Sequence, residues 1–364
     1  MSDTDRQIRV PYPARYETLD GWRGVASGMV LAHHFSSLDS PVLGRLWLGV
    51  QIFFVISGYC LGAALDRAVA EGATWRQFMA RRVRRIGPPY LGSVLLAILL
   101  EVHVRGLAAL AKPWNVYVQN ATMTQWLSVL AGFVRGERRT LVPWANGALL
   151  VAPHWSLNYE EQFYLVIATA GGLAFLAGAH RWLVGVTLLA AFVNWCLPGA
   201  ITGLFTDYWL QFACGLVVYY RLARTRLVLE ARLIDLGLVV AFLIVTAEAW
   251  VRGELHFAHE RFQYFGQLAV CLAFALALVA LRPLDARVAR SLVARPVMAL
   301  GWVSYSLYLV HYPVIDYTEA DRLAIANPAL RAVLGGALLL GFTIAYYFVL
   351  ERPFLSKSRK TAVA

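Results

Sequence analysis

The sequence predicts an all-α polytopic membrane protein in which about ten transmembrane helices surround a polar cavity. Hydrophobic residues make up 59% of the 364 residues and charged residues only 15%, whereas a soluble domain carries roughly 25% charged residues. The mean hydropathy is +0.57. Stretches of about 20 mostly apolar residues recur along the chain, and a helix of that length crosses the hydrocarbon core of a bilayer. The composition therefore excludes an ordinary soluble domain.

Ten apolar windows define the predicted helices. They lie at 19–38, 46–65, 88–104, 157–177, 182–198, 204–220, 233–250, 263–281, 299–317 and 330–350. We interpret 19–355 as a single transmembrane domain between a polar N-terminal tail at 1–18 and a short C-terminal tail at 356–364. The N-terminal stretch has no short apolar core followed by a cleavage site, so it is interpreted as a cytoplasmic tail and not as a removed signal peptide.

The basic residues segregate to one side of the predicted membrane. The net charge is +11, and most of the 33 Lys and Arg residues fall in segments on the same side as the N-terminus. Cytoplasmic loops of membrane proteins are enriched in Lys and Arg, so the pattern predicts a bacterial inner-membrane protein with both termini in the cytoplasm. The lipid bilayer, and not nucleic acid, is the expected partner of this positive charge.

The cysteines do not form a metal-binding or disulfide pattern. All four fall within predicted spans, far apart in the sequence: Cys60, Cys196, Cys214 and Cys271. This spacing indicates neither a disulfide framework nor a C-x-x-C metal site. We therefore expect buried thiols and no bound metal.

The first predicted span, LDGWRGVASGMVLAHHFSSL at 19–38, carries ionisable groups inside an apolar helix. A helix turns about 100° and rises about 1.5 Å per residue, so Arg23 and His34 share one face about 16 Å apart. Asp20 lies on that side as well, whereas His33 points about 100° away from His34. Because a charge at helix centre costs at least about 2.5 to 3.5 kcal/mol, this face is expected to border a polar cavity. The alternatives are a local Asp20–Arg23 ion pair and a His34 that only packs.

The second and third spans add small residues and a basic cluster. GVQIFFVISGYCL at 49–61 places Ser57 and Tyr59 among glycines, a composition that close helix packing alone would also explain. A basic cluster follows, just before Pro88, where we expect the next helix to begin; its members are Arg81, Arg82, Arg84 and Arg85. Such a cluster is typical of a topology signal or a lipid-headgroup contact. Guanidinium groups also match the geometry of phosphate oxygens.

The stretch PHWSLNYEEQFYLVIA at 153–168 opens the fourth span. Trp155 and Ser156 precede Glu160 and Tyr164, which share a helix face because they are four residues apart. A Trp at such a boundary is typical of an interfacial belt. Two adjacent carboxylates at the edge of the hydrocarbon indicate a polar cavity, although a helix N-terminus also favours negative charge. We expect this end of the span on the non-cytoplasmic side, opposite the arginines.

The ninth and tenth spans contribute the last polar stretches. In GWVSYSLYLVHYPVID, the side chains of Ser304, Tyr308 and His311 form one stripe along a helix. Hydrogen-bonded packing between helices would also explain this stripe. LERPFLSK then places Glu351 and Arg352 at the cytoplasmic end of the tenth span.

Taken in this order, the stretches resemble the bacterial membrane-bound acyltransferase 3 family of ten-span O-acyltransferases. The similarity is carried by LDGWRGVASGMVLAHHF, with an Arg, ten residues and a His, and then by GVQIFFVISGY, RRVRRIGPPYL, HWSLNYEEQFYL, SYSLYLVHYPV and ERPF. It covers about residues 15–355. Some family members carry an appended extracytoplasmic hydrolase-like domain after the last span, and we expect the present chain to be the stand-alone form without it.

The resemblance implies transfer of an acyl group, usually acetyl, from cytoplasmic acyl-CoA to a hydroxyl of a glycan or glycan-like acceptor. Acyl-CoA would be a co-substrate, and no metal is implied. His34 would act as general base on the acceptor hydroxyl, and Glu160 would orient its ring or stabilise its charged form near the non-cytoplasmic face. A covalent acyl-histidine is the alternative.

The same resemblance implies that donor phosphates bind Arg23 and the arginine cluster. Arg82 and Arg85 match the family spacing of two arginines separated by two residues. Arg81 and Arg84 have that spacing too, so both pairs are candidates. The remaining residues expected to line the acceptor site or the cavity are Asp20, Ser57, Tyr59, Trp155, Ser156, Tyr164, Ser304, Tyr308 and His311.

A function of another class also fits the intramembrane polar residues. In a proton-coupled transporter or exporter of a glycan or small molecule, they would form a proton relay. The sequence does not contain the paired broken helices or inverted repeat of many transporters. The residues of that relay would be Asp20, Arg23, His34, Glu160 and His311.

Overall fold

The part of the protein that the computed structural model describes is predominantly helical. The described residues are 16–34, 43–135, 149–177, 179–196, 203–255, 264–319 and 327–355, and they contain no β-strand. The predicted all-α class is therefore confirmed for this part of the chain. The predicted tails at 1–18 and 356–364 lie outside the described residues, except for 16–18.

The helices follow the predicted windows closely. Each of the ten windows overlaps at least one helix, and three further described helices, α4, α5 and α11, lie where the sequence predicted no span. The helices are α1 (Leu19–His34), α2 (Gly49–Ala70), α3 (Trp75–Arg105), α4 (Trp114–Thr122), α5 (Gln125–Val134), α6 (Trp155–Ala177), α7 (Ala179–Cys196), α8 (Thr206–Ala223), α9 (Val228–Val251), α10 (Tyr264–Leu281), α11 (Asp285–Ala289), α12 (Ala294–Trp302), α13 (Ser304–Glu319) and α14 (Pro328–Tyr346).

Short 3₁₀ and π segments lie next to or between these helices. A π-helix, Tyr347–Glu351, continues α14. The 3₁₀ segments are Leu43–Leu48, Gly106–Leu110, Ala152–His154, Arg282–Leu284 and Arg352–Phe354.

Four helical stretches of the described chain are long and apolar enough to cross a membrane. They are Leu43–Ala70, Trp75–Leu110, Tyr264–Ala289 and Val333–Phe354. A shorter apolar helix covers Leu183–Cys196. The chain is therefore a multi-pass membrane protein, and the larger count of about ten spans stays a prediction.

The chain divides into two compact units. Unit 1 comprises the described residues within 1–33, 40–72 and 208–301, and unit 2 comprises His34 together with those within 73–207 and 302–364. Helix α1 thus contributes Leu19 to His33 to unit 1 and only its last residue, His34, to unit 2.

Close backbone contacts at glycines hold the helices of unit 1 together. A Cβ atom on Gly58 of α2 would lie 2.0 Å from the carbonyl oxygen of Phe212 in α8. A Cβ on Gly301 of α12 would lie 1.6 Å from the carbonyl oxygen of Asp20 in α1. No side chain fits at such distances, so each glycine is required for the observed approach of two helix backbones.

A buried carboxylate anchors the start of α1 within unit 1. Asp285 accepts hydrogen bonds from the backbone N–H groups of Glu17 and Thr18, each at 2.8 Å, and from the Thr18 hydroxyl at 2.7 Å. Arg282, which is also buried, forms an ion pair with the same carboxylate. The negative charge therefore lies at the N-terminus of α1, where the helix dipole favours it, and the guanidinium compensates its burial.

A second buried carboxylate anchors the start of α13 within unit 2. Glu351, at the end of the π-helix, accepts hydrogen bonds from the backbone N–H of Ser306 at 3.1 Å and from the Ser306 hydroxyl at 2.6 Å. These donors belong to the first turn of α13, so this carboxylate also complements a helix N-terminus.

Helix α3 does not begin at Pro88, and that expectation was wrong. Thr74 caps the helix in a reciprocal arrangement with Gln77, so the helix starts 13 residues earlier and contains Pro88 and Pro89 in its interior. Gly87 precedes the first proline and has no Cβ to clash with the proline ring. The Tyr305 hydroxyl donates to the Ile86 carbonyl at 3.1 Å, which holds this part of α3 in unit 2. The arginine cluster consequently lies on a helix and not in a loop.

None of the four cysteines forms a disulfide in the structure. Cys214 and Cys271 are buried and Cys60 is half-buried. Cys196 is exposed because it is the last residue of α7, so the expectation of a buried thiol was wrong there.

We expect the variant Asp285→Ala to lose about 3 to 5 kcal/mol of stability, because Arg282 would remain buried without its counter-ion. Thermal unfolding of the purified protein in detergent measures this loss. The matched control is Glu101→Ala, which removes an ion pair with Arg105 whose side chains are 44% and 68% exposed, and such pairs contribute at most about 1 kcal/mol. Equal destabilisation by the two variants would contradict the anchoring role of Asp285.

Candidate active site

Two of the sequence-predicted residues, His34 and His311, lie against each other in unit 2. Their ring centroids are 5.1 Å apart with an interplanar angle of 44°. The ring of Tyr312 meets His34 edge-on, with centroids 5.4 Å apart. His34 is half-buried and His311 is buried. The last residue of α1 therefore lies beside the middle of α13, and two imidazoles share one polar location.

A chain of hydroxyl groups fixes the part of α13 that carries His311. The Tyr308 hydroxyl donates to the Pro153 carbonyl at 2.6 Å. Because this bond uses its only hydrogen, the Ser156 hydroxyl donates to the Tyr308 oxygen, also at 2.6 Å. Tyr308 and Ser156, which the sequence predicted to line the site or its cavity, therefore contact each other at the start of α6. Ser304 is buried at the first position of α13, and Trp155 is half-buried with its ring 6.0 Å from that of Tyr159.

The sequence analysis missed His154, which belongs to the same region of unit 2. Its side chain is fully buried, and its ring lies 4.8 Å from the ring of Tyr90. The Ser93 hydroxyl donates to the Tyr90 carbonyl at 2.7 Å, so His154 Nε2 donates to the Ser93 oxygen at 3.2 Å. The available signal was a histidine directly before Trp155 at the start of a predicted span.

Burial keeps His154 neutral. Removal from water lowers its pKa from 6.5 to about 3, and the nearby His311 acts in the same direction. His154 consequently serves this region as an uncharged hydrogen-bond donor.

The structure distinguishes the two candidate arginine pairs. Arg82 and Arg85 are half-buried, whereas Arg81 and Arg84 are exposed. The guanidinium carbon of Arg82 lies 5.4 Å from the ring centroid of Tyr164, a cation–π contact. Arg82 and Arg85 are three residues apart, so their side chains lie on the same side of α3. That side faces the interior of unit 2.

Glu160 lies beside these arginines, not opposite them. Its carboxylate accepts a hydrogen bond from the Tyr164 hydroxyl, and the Tyr164 ring carries Arg82 on its face. The predicted shared face of Glu160 and Tyr164 is confirmed, but the expected separation of Glu160 from the arginines was wrong. The physical reason is that α6 packs along α3, which brings its second and third turns level with Arg82.

Several predicted residues belong to unit 1. Asp20 and Arg23 form the local ion pair that the sequence offered as an alternative, at 2.9 Å. Arg23 also donates to the sulfur of Cys60 at 3.2 Å. The buried ring of Tyr59 packs edge-on against that of Tyr219, with centroids 5.4 Å apart. Ser57 is half-buried on α2.

Among the described residues, no group of three or more His, Cys, Asp or Glu side chains could hold a metal ion.

Comparison with known proteins identifies relatives over nearly the whole chain. A family model described as "Acyltransferase domain" matches residues 16–350. BcsY of Komagataeibacter xylinus, which is named as a membrane-bound transacylase, is 28% identical over 96% of this chain and 86% of its own length. The exopolysaccharide production protein ExoZ of Rhizobium meliloti is 29% identical over 86% of this chain and 91% of its own.

A third relative is longer. The peptidoglycan O-acetyltransferase OatA of Listeria monocytogenes is 26% identical over 92% of this chain, which spans about half of that protein (54%). No solved structure matches the chain.

The neutral, buried state of His154 predicts a specific loss of stability in acid. The unfolded chain takes up a proton at this residue near pH 6.5, and the folded protein only near pH 3. The unfolded state therefore binds more protons between these values, and stability falls as the pH decreases, by up to about 1.4 kcal/mol per pH unit.

Thermal unfolding in detergent between pH 7 and pH 4 tests this expectation. The variant His154→Leu should show a shallower pH dependence than the wild type, whatever its stability at pH 7. His103→Leu is the control, because its side chain is exposed. An unchanged slope in His154→Leu would contradict the expectation.

Proposed function

The chain belongs to the acyltransferase family whose model matches residues 16–350, and from this membership we propose a specific reaction for it. It moves an acyl group, usually acetyl, from cytoplasmic acyl-CoA to a hydroxyl of a glycan or glycan-like acceptor. We place it in the bacterial inner membrane with both termini in the cytoplasm and about ten spans around a polar cavity. The overlap of every apolar window with a helix supports this topology.

The names of the relatives support a polysaccharide of the cell envelope as acceptor. One relative is named for exopolysaccharide production and another as a peptidoglycan O-acetyltransferase. Both names refer to glycans, whose hydroxyl groups are the acceptors that O-acylation requires. The family membership also favours an enzyme over the transporter that the intramembrane polar residues alone would allow.

The donor side of the proposed reaction uses Arg82 and Arg85. Acyl-CoA carries several phosphate groups, and guanidinium groups bind phosphate oxygens in a bidentate manner. The half-buried position of these two side chains supports them over the exposed Arg81 and Arg84. Arg23, which pairs with Asp20 in unit 1, stays a predicted donor-binding residue.

The chemical step centres on His34. Its imidazole takes the proton from the acceptor hydroxyl while the oxygen forms a bond to the acyl carbonyl carbon. The carbon–sulfur bond then breaks, and the coenzyme A thiolate leaves and takes the proton from the imidazolium. The observation that carries this proposal is the half-buried ring of His34, which lies against the rings of His311 and Tyr312 in unit 2. General-base catalysis of this kind contributes about 10² to 10⁴ in rate.

We expect the double variant Arg82→Gln/Arg85→Gln to raise the KM for acetyl-CoA about 10²- to 10⁴-fold, because two charge-assisted hydrogen bonds are lost and each contributes about 1.5 to 3 kcal/mol. The measurement is transfer of labelled acetyl groups to a soluble glycan in proteoliposomes, with the donor concentration varied. The matched control is Arg81→Gln/Arg84→Gln, which removes the same charge from exposed positions of the same helix. A similar increase in KM for both double variants would refute the assignment.

His34→Ala should abolish transfer, with a loss of at least about 10² in kcat, while the protein still inserts and accumulates. The neighbouring His33→Ala is the control because its side chain points to another side of the helix. Labelled-acetyl transfer and the amount of membrane-inserted protein are measured together. Retained transfer by His34→Ala would remove this residue from the role of base.

A further inference from the structure

The side chain of Arg82 contacts two aromatic rings of unit 2. Its guanidinium carbon lies 5.6 Å from the ring centroid of Phe78, one helical turn earlier on α3, and 5.4 Å from that of Tyr164 on α6. Both rings are buried, whereas Arg82 is half-buried. Two cation–π contacts, from two different helices, therefore hold this guanidinium in place.

The N–H groups of this guanidinium are not used inside the protein. In the part of the chain that the structure describes, the Arg82 guanidinium has no carboxylate partner and no hydrogen-bond acceptor. None of its nitrogens is a fully buried atom without a partner, so they are open to solvent. A guanidinium presents five N–H donors in a planar fork. Because a cation–π contact requires no acceptor for them, these donors stay available to an anionic ligand.

The ring of Tyr164 is itself held in place. Its hydroxyl donates to the carboxylate of Glu160, one turn earlier on α6, and its ring is buried. The carboxylate, the ring and the guanidinium of Arg82 thus form a short series of contacts within unit 2. The ring therefore offers Arg82 a fixed surface before any ligand binds.

We propose that Phe78 and Tyr164 are positioning residues for the acyl donor: their rings hold the Arg82 guanidinium so that its N–H groups bind a phosphate group of acyl-CoA. This inference rests on the proposed function. Both rings act through Arg82, because ordering a long arginine side chain in advance lowers the entropic cost of binding. The rings should therefore matter for a donor that carries phosphate groups and not for one that lacks them.

Ring-deletion variants test this role. Phe78→Leu and Tyr164→Leu each remove one ring, and Tyr164→Phe keeps the ring but loses the hydrogen bond to Glu160. The matched control is Phe274→Leu, which removes a buried ring of unit 1 that packs against Trp22. Binding of CoA to the purified protein in detergent is measured by isothermal titration calorimetry, so the readout does not depend on acyl transfer.

We expect Phe78→Leu and Tyr164→Leu each to raise the Kd for CoA about two- to thirtyfold, the range that corresponds to one cation–π contact. Tyr164→Phe should lie nearer to the wild type than Tyr164→Leu does, and Phe274→Leu should match the wild type. An unchanged Kd in both ring-deletion variants would overturn the proposal, and so would a wild type that binds no CoA.

A double-variant cycle separates positioning of Arg82 from general packing. If the ring of Tyr164 acts through Arg82, then Tyr164→Leu should change the Kd for CoA by less than about twofold in an Arg82→Gln background. A purely structural role would give the same fold increase in both backgrounds, and that result would overturn the proposal.

Transfer from acetyl-pantetheine, a thioester donor without phosphate groups, gives a second test. Its kcat/KM should be the same in the wild type, Phe78→Leu and Tyr164→Leu, while kcat/KM for acetyl-CoA falls in both variants. An equal loss with both donors would contradict a role through Arg82. If the wild type transfers no acetyl group from either donor, the proposed function fails, whereas the CoA-binding cycle still decides whether the rings position Arg82.

Discussion

Two buried carboxylates fix the helices that carry the paired histidines. Within unit 1, Asp285 accepts three hydrogen bonds at the N-terminus of α1. Within unit 2, Glu351 accepts two in the first turn of α13. Each carboxylate comes from a distant part of the chain and complements the positive end of a helix dipole. In an apolar interior a carboxylate needs such partners, so the start of each helix is pinned to one place within its own unit.

Other polar groups of unit 2 also have partners, and their depth of burial depends on their charge. The uncharged groups lie deepest: His154 is neutral and bonded to Ser93, and Tyr308 bonds to a backbone carbonyl. The charged Arg82 is only half-buried and lies on an aromatic face.

The helical windows and local pairs were predictable because they depend on short-range periodicity. The Asp20–Arg23 pair and the Glu160–Tyr164 contact are separated by three and four residues, and helix geometry alone brings such side chains together. Long-range partners were not predictable. Nothing local indicates that α6 runs level with the arginines of α3. The start of α3 was predicted wrongly because of its interior prolines, since a proline is usually found at a helix end or a kink.

The sequence by itself determined that this chain is a helical membrane protein of an acyltransferase family, since composition, apolar length and motif order suffice for that. It also determined which residues share a helix face. Only the tertiary structure decided that Arg82 and Arg85 face inward, that His154 joins the polar region and that His311 is the imidazole beside His34. The reason is physical: a face fixed by helical periodicity acquires its partners only when other helices pack against it, and those contacts join residues hundreds of positions apart.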